Sequence, residues 1–205
     1  MKLYGFPGTR AQRALWGLKE VDVDFEYVHV NLLEGEHKRP EFLRINPAGK
    51  VPVLVDGDRV IPESAAIVLY LAEKYPEKAL LPADIEERAQ AYRWTLFAVT
   101  ELEQPLWRIT RHTFLYPPDQ RLPADIALAR DDFMTMAAIL EKHLEGRQFI
   151  VGNRLSVADC VTVYLIDWAN EAGLIDSFPG LKAYLERLYA RPEAPPRIAD
   201  ARKAA

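Results

Sequence analysis

Glu63 and Ser64 stand where a turn becomes a helix, and that position has a chemistry of its own. The first N–H groups of a helix have no partner within it, and the macrodipole is positive there, so an anion is favoured. Helix capping is the simpler role for the same pair. Thr9 follows Pro7-Gly8 and precedes a helical run, where a threonine hydroxyl serves as an N-cap. Further along, Glu101, Arg108 and His112 fall at spacings that share one face of a helix. That polar stripe is either a solvated face or the lining for a polar or anionic ligand. Metal chemistry finds little support. His29, His37, His112 and His143 lie in four separate segments, and none is paired at ligand spacing. The single cysteine, Cys160, can form neither an internal disulfide nor a thiolate zinc site. Any sulfur chemistry must therefore use sulfur brought from outside. No H-E-x-x-H, GxxxxGK[ST] or GxGxxG pattern occurs.

The 205 residues carry 26 basic and 30 acidic side chains, a formal net charge of -4. That balance excludes a protein held mainly by nucleic-acid phosphates. With 49% hydrophobic and 27% charged residues, the chain has an ordinary globular composition. No apolar run of about 18 residues is present to span a membrane. The opening run Met1 to Gly8 is too short and too broken for a secretory signal, so a cytoplasmic protein is expected.

The elements that must position these residues differ between the two halves. Strands are expected at Lys2 to Phe6, Asp24 to Val30, Val51 to Val55 and Arg59 to Ile61, the last two joined by the hairpin signal Asp56-Gly57. Helices are expected at Arg10 to Lys19, Pro40 to Arg44 and from Glu63-Ser64 to Tyr75. A strand–helix–strand start implies a parallel pair, and the hairpin adds an antiparallel edge. A four-stranded mixed sheet of this size points to a thioredoxin-like unit over residues 1–76. Residues 77–84, bracketed by prolines, read as a linker.

Residues 85–205 read as all-helical. A helix from Ile85 to about Leu115 carries Leu96, Val99, Leu102, Leu106 and Ile109 on one stripe, and Pro105 is expected to kink it. A second runs from about Asp125 to Glu145. Ser156-Val157-Ala158-Asp159 has the form of a capping box opening an almost wholly apolar, buried helix. A last helix covers Leu181 to Ala190, and a polar tail follows from Arg191. Trp16, Trp94 and Trp168 read as core or interface packing.

Over nearly its whole length the chain resembles the cytosolic glutathione transferase superfamily. The resemblance rests on Gly35-Glu36-His37-Lys38, Pro40-Glu41-Phe42-Leu43, Asn46-Pro47 through Lys50-Val51-Pro52-Val53-Leu54, and Pro62-Glu63-Ser64-Ala65-Ala66-Ile67, in that order and spacing. Ser156 to Asp159 is similar to the family's capping motif. The first-unit stretch is most like the phi, delta and theta type. The resemblance implies a site for glutathione, an anionic tripeptide, as co-substrate, with no metal. Val51-Pro52 would be a cis peptide whose Val51 backbone pairs with the cysteinyl backbone of glutathione. Ser64 would bind the γ-glutamyl carboxylate and Glu63 would face the ammonium. His37, Lys38 and Lys50 would offer donors to the glycyl carboxylate, with Lys50 standing where phi-type members often have glutamine.

The resemblance also places Thr9 at the catalytic serine position. There a hydroxyl donates to the glutathione sulfur and favours the nucleophilic thiolate. The position of the catalytic tyrosine of other classes falls at Gly5, so Tyr4 should point to the opposite face of its strand. The cysteine of beta-type members falls at Arg10. The second substrate, a small electrophile, is expected between the units against the kinked helix, with Arg108 and His112 as candidate contacts. A homodimer is implied. Conjugation to an electrophile leads, ahead of glutathione-dependent reduction of disulfides or peroxides and a non-catalytic binding or scaffold role.

Overall fold

The computed structural model describes residues 1–203. The chain divides into two compact units. One is formed by Met1–Ala83 together with the described part of the segment from Tyr189; the other is Asp84–Leu188.

In the first unit the strands are β1 (Lys2–Gly5), β2 (Glu26–His29), β3 (Val53–Asp56) and β4 (Arg59–Pro62), and the sheet order is β2-β1-β3-β4. β1 and β2 are parallel, with Gly5 opposite His29, while β1–β3 and β3–β4 are antiparallel. The helices are α1 (Ala11–Glu20), the single turn α2 (Pro40–Leu43) and α3 (Ser64–Lys74). This is the expected thioredoxin-like unit, with boundaries displaced by a residue or two. Alternation along β1 divides the packing. Leu3 is fully buried, whereas Tyr4 turns to the other side and meets Phe42 edge-on at 6.3 Å. There it joins Val30, Phe42, Val53 and the half-buried Val51.

α1 is buried on more sides than its apolar spacing implies. Ala14 and Leu18 are buried as expected, but so are Gln12, Arg13 and Trp16. For Gln12 and Trp16 the cause is the C-terminal segment, which is not a free polar tail. It forms a further helix, α9 (Ile198–Lys203), anchored by the buried Ile198 and Ala201. Gln12 Nε2 donates to Pro196 O at 2.7 Å, Trp16 packs on Tyr189 at 5.1 Å, and Arg191 makes a two-armed contact with Glu20 at 2.9 and 3.1 Å. Residues 12, 16 and 20 lie four apart, so they form one ridge of α1. The second domain expected at 85–205 therefore ends earlier in the structure.

In the second unit α4 (Ile85–Phe97) continues through a π turn (Ala98–Leu102) into α5 (Glu103–Thr110), and a second π turn (Arg111–Leu115) ends it. Pro105 has no N–H for the carbonyl of Glu101, and its ring crowds that carbonyl. The wider turn containing Glu101 accommodates the fault. Leu96, expected on the buried stripe, is 60% exposed; Ala91, Trp94 and Ala98 line the core instead. α6 (Pro123–His143), α7 (Val157–Glu171) and α8 (Pro179–Tyr189) complete the unit. α7 opens with the expected capping box between Ser156 and Asp159. Asp159 is fully buried and accepts from Ile150 N, Ser156 N, Ser156 Oγ and Tyr184 Oη at 2.9–3.0 Å. Cys160, the next residue, is fully buried as expected and forms no disulfide.

Candidate functional site

The start of α3 is built for charge. Glu63 precedes it with φ 70° and ψ 113°, a backbone region that a non-glycine residue rarely holds. Such strain persists only where the surroundings impose it, and it clusters at ligand sites. Ser64 follows, 4% exposed, and its Oγ accepts from Arg13 Nη1 at 3.2 Å. Arg13 is 1% exposed. A buried guanidinium thus lies behind a helix N-terminus, and the two positive features add. Because Arg13 supplies the donor, the Ser64 hydroxyl proton can be given to a carboxylate. Arg13 is a site residue that local sequence patterns leave without a role. The signal was an arginine one residue before the buried Ala14, on a helix otherwise packed on apolar residues.

Val51-Pro52 is a cis peptide, as the resemblance implies. Val51 precedes Val53, the first paired residue of β3. The turn leading to it is organised by Asn46. Its Nδ2 donates to Lys50 O at 2.8 Å, its Oδ1 accepts from Ala48 N at 3.1 Å, and its carbonyl accepts from Gly49 N at 2.9 Å. Gly49 has φ 58°, and a Cβ there would stand 2.8 Å from His37 O and 2.9 Å from Lys38 Nζ. No other residue type fits this approach. It brings the Lys38 ammonium beside the residue that precedes Lys50, and both lysines are exposed. His37 is half-buried, and its Nδ1 is buried without a hydrogen-bond partner among the described residues. Burial, and then the neighbouring Lys38 cation, push its pKa down from 6.5.

Thr9 lies between β1 and α1. Its Oγ1 donates to Phe6 O at 2.6 Å and accepts from Ala11 N at 3.3 Å. The second contact reaches the first residue of α1, whose N-cap is Arg10 without a side-chain cap bond, so the expected N-cap lies one residue later. The first uses the one proton with which the hydroxyl would reach a sulfur. Gly5 leaves no room for the tyrosine of other classes. A Cβ there would meet Tyr27 Oη at 2.6 Å and Ala11 Cβ at 2.8 Å. Burial pushes the Tyr27 hydroxyl up to about 12, so it stays protonated. Tyr27 carries no local signal, because its place depends on the pairing of β2 with β1.

Arg108 and His112 are drawn together in the second unit, but toward carboxylates of its own. Arg108 pairs with Asp125 and Asp132, each at 2.5 Å. His112 accepts from Leu122 N at 3.1 Å through Nδ1 and meets Asp125 at 3.3 Å through Nε2. Hydrogen bonding to Arg108 holds the Asp125 carboxyl below its usual range. In place of an open cationic stripe, the structure has an ion-pair cluster joining α5 to α6. No group of three or more His, Cys, Asp or Glu among the described residues is placed to hold a metal.

Two family models match the chain. The glutathione S-transferase N-terminal domain matches residues 1–73, and the glutathione S-transferase C-terminal domain matches residues 108–192. Glutathione S-transferase F10 of Arabidopsis thaliana is 36% identical over 190 residues, 88% of each chain. The zeta-class enzyme of Euphorbia esula is 40% identical over 163 residues, 78% of this chain and 71% of the relative. Among solved structures, glutathione transferase F7 of Populus trichocarpa superposes with a TM-score of 0.84 at 27% identity, covering 98% of this chain and 97% of that one.

Proposed function

The chain belongs to the glutathione S-transferase family, and on that premise we propose that it joins the sulfur of glutathione to a small electrophile. The thiol proton passes to solvent, and the thiolate attacks the electrophilic carbon to form a C–S bond; an aryl halide then expels halide, an epoxide opens its C–O bond, and an enone shifts its π pair, the last two products taking a proton from water. The observation that carries this reading is Ser64 at the start of α3 with the buried Arg13 behind it. An anionic peptide carboxylate matches that pair. Glu63 takes the ammonium, the Val51 backbone pairs with the cysteinyl residue, and Lys38, Lys50 and His37 hold the glycyl carboxylate. Thr9 donates to the sulfur after its proton turns from Phe6 O.

A second copy of the chain is proposed to cover one side of α4, where Ile85, Tyr92 and Leu96 are exposed at helical spacing. The reaction is placed in the cytoplasm, where glutathione keeps thiols reduced. No helix among the described residues is long and apolar enough to cross a membrane. A role in clearing reactive electrophiles follows.

One observation favours a binding protein over an enzyme: the Thr9 hydroxyl is directed at Phe6 O. Calorimetry with glutathione, followed by turnover of an activated aryl halide, separates the readings. Binding with turnover supports conjugation. Binding with no turnover of aryl halides, epoxides or enones supports either a scaffold or, if a small disulfide is reduced, a reductase. No binding at millimolar glutathione excludes both enzyme readings and leaves the scaffold.

A further inference from the structure

The C-terminal segment that covers the ridge of α1 also reaches the loop ahead of that helix. Glu20, Trp16 and Gln12 meet Arg191, Tyr189 and Pro196. In that loop stands Gly8, just before Thr9. A Cβ on Gly8 would meet Arg202 Cγ at 2.6 Å, Nε at 3.1 Å and Cδ at 3.3 Å. Gly8 also has φ 73°, so both its backbone and its missing side chain are required there. The C-terminal segment therefore starts at the end of α1 and lays the Arg202 stem across the loop at its beginning. Ile198 and Ala201, three apart and buried, fix the face of α9 that turns inward and leave Arg202 exposed.

We infer that the C-terminal segment completes the glutathione site, with Arg202 supplying a guanidinium that favours an anionic sulfur at the Thr9 loop. Guanidinium stays charged at any working pH and carries a fork of donors suited to an anion. The other charged groups of the elements around it have other work. Arg13 is buried against Ser64, and Lys203 pairs with Asp200 at 3.1 Å. Arg10 lies on the N-terminal flank of α1 and adds to the same positive field. Tyr27, on β2, stays protonated and adds no charge. With the one Thr9 proton held by Phe6 O, a fixed positive charge on the loop gives the thiolate a second source of stabilisation. The inference rests on the transferase reading.

The test compares the unaltered protein with Arg202→Gln and Arg202→Lys. The bound thiol is titrated by thiolate absorbance in the ultraviolet, and glutathione affinity is measured by calorimetry in parallel. Arg202→Gln is expected to raise the pKa of the bound thiol by about half a unit or more and to lower kcat/KM near pH 6.5 about three- to tenfold. Arg202→Lys should keep most of both. An unchanged thiol pKa in Arg202→Gln overturns the inference while leaving the transferase reading intact. An equal loss in Arg202→Lys and Arg202→Gln with no shift in the thiol also overturns it, since that marks packing on Gly8. Absence of glutathione binding in the unaltered protein overturns the transferase reading and this inference together.

Discussion

Arg13 and Ser64 are 51 residues apart in sequence and joined by one buried hydrogen bond of 3.2 Å. The bond ties the first helix of the sheet unit to the first turn of the third. It also positions the hydroxyl proposed to face the γ-glutamyl carboxylate.

Removing the hydroxyl tests that placement. Ser64→Ala should raise KM for glutathione roughly tenfold, since a hydrogen bond to a charged group contributes about 1.5–3 kcal/mol. The value of kcat should change less, because the carboxylate is bound alike in ground and transition states. Arg13→Ala should weaken glutathione binding and lower Tm together, because it leaves Ser64 with a cavity in place of a guanidinium. A normal KM in Ser64→Ala would move the carboxylate elsewhere.

Thr9 has one proton and two candidate acceptors, Phe6 O and the bound sulfur. Thr9→Ala should reduce turnover at least tenfold with little change in glutathione affinity. Thr9→Ser keeps the hydroxyl, frees χ1 from β-branching, and should stay within about threefold of the unaltered protein. Steady-state rates with an aryl halide decide this, and unchanged turnover in Thr9→Ala would remove the residue from the chemistry.

The His37 imidazole titrates low because it is half-buried and stands beside Lys38. At neutral pH it is uncharged, and it gains its proton below its ordinary value of 6.5. Protonation opposes folding, since the unfolded chain binds the proton more readily. His37 thus lends stability that is present above pH 6.5 and is lost as pH falls through its depressed folded value. A bound carboxylate reverses that preference. Affinity for S-methylglutathione, which has no thiol to titrate, should therefore rise a few-fold as pH falls from 7.5 toward 5.5. Calorimetry across this range should show the rise, and His37→Gln should flatten it.

Asp159 carries four donors on a fully buried carboxylate. Burial raises its pKa, and the four hydrogen bonds act against that rise. Asp159→Ala leaves buried N–H and O–H groups unsatisfied, at about 1–3 kcal/mol each. The expected result is a fall in Tm of ten degrees or more, or loss of soluble protein. Asp159→Asn should be milder but still destabilising, because its NH₂ must face a donor. A Tm within two degrees of the unaltered protein would contradict this account of the α7 cap.

Local patterns carried the fold. Alternation marked the strands, Asp56-Gly57 marked the hairpin, and Ser156 with Asp159 marked the start of α7. The motif order placed Val51, Glu63 and Ser64 in one unit. What stayed hidden depended on long-range packing. Gln12, Trp16 and Glu20 are spaced as a ridge, yet nothing local says that a segment near Pro196 covers them. Leu96 fits an unbroken apolar stripe and is exposed, since Ala91, Trp94 and Ala98 turn to the core. Arg108 and His112 look like free cations until α6 brings Asp125 and Asp132 beside them. Arg13 and Tyr27 gain meaning only from partners on other elements.

The central claim is that this chain binds glutathione in its first unit and holds the thiol as a thiolate. The most direct measurement is the ultraviolet titration of the bound thiol in the unaltered protein, with Thr9→Ala as its control. The expected result is a pKa at least one unit below the free value of about 8.5, partly restored upward in Thr9→Ala. Glutathione that binds with an unshifted thiol, or does not bind at all, would contradict the account.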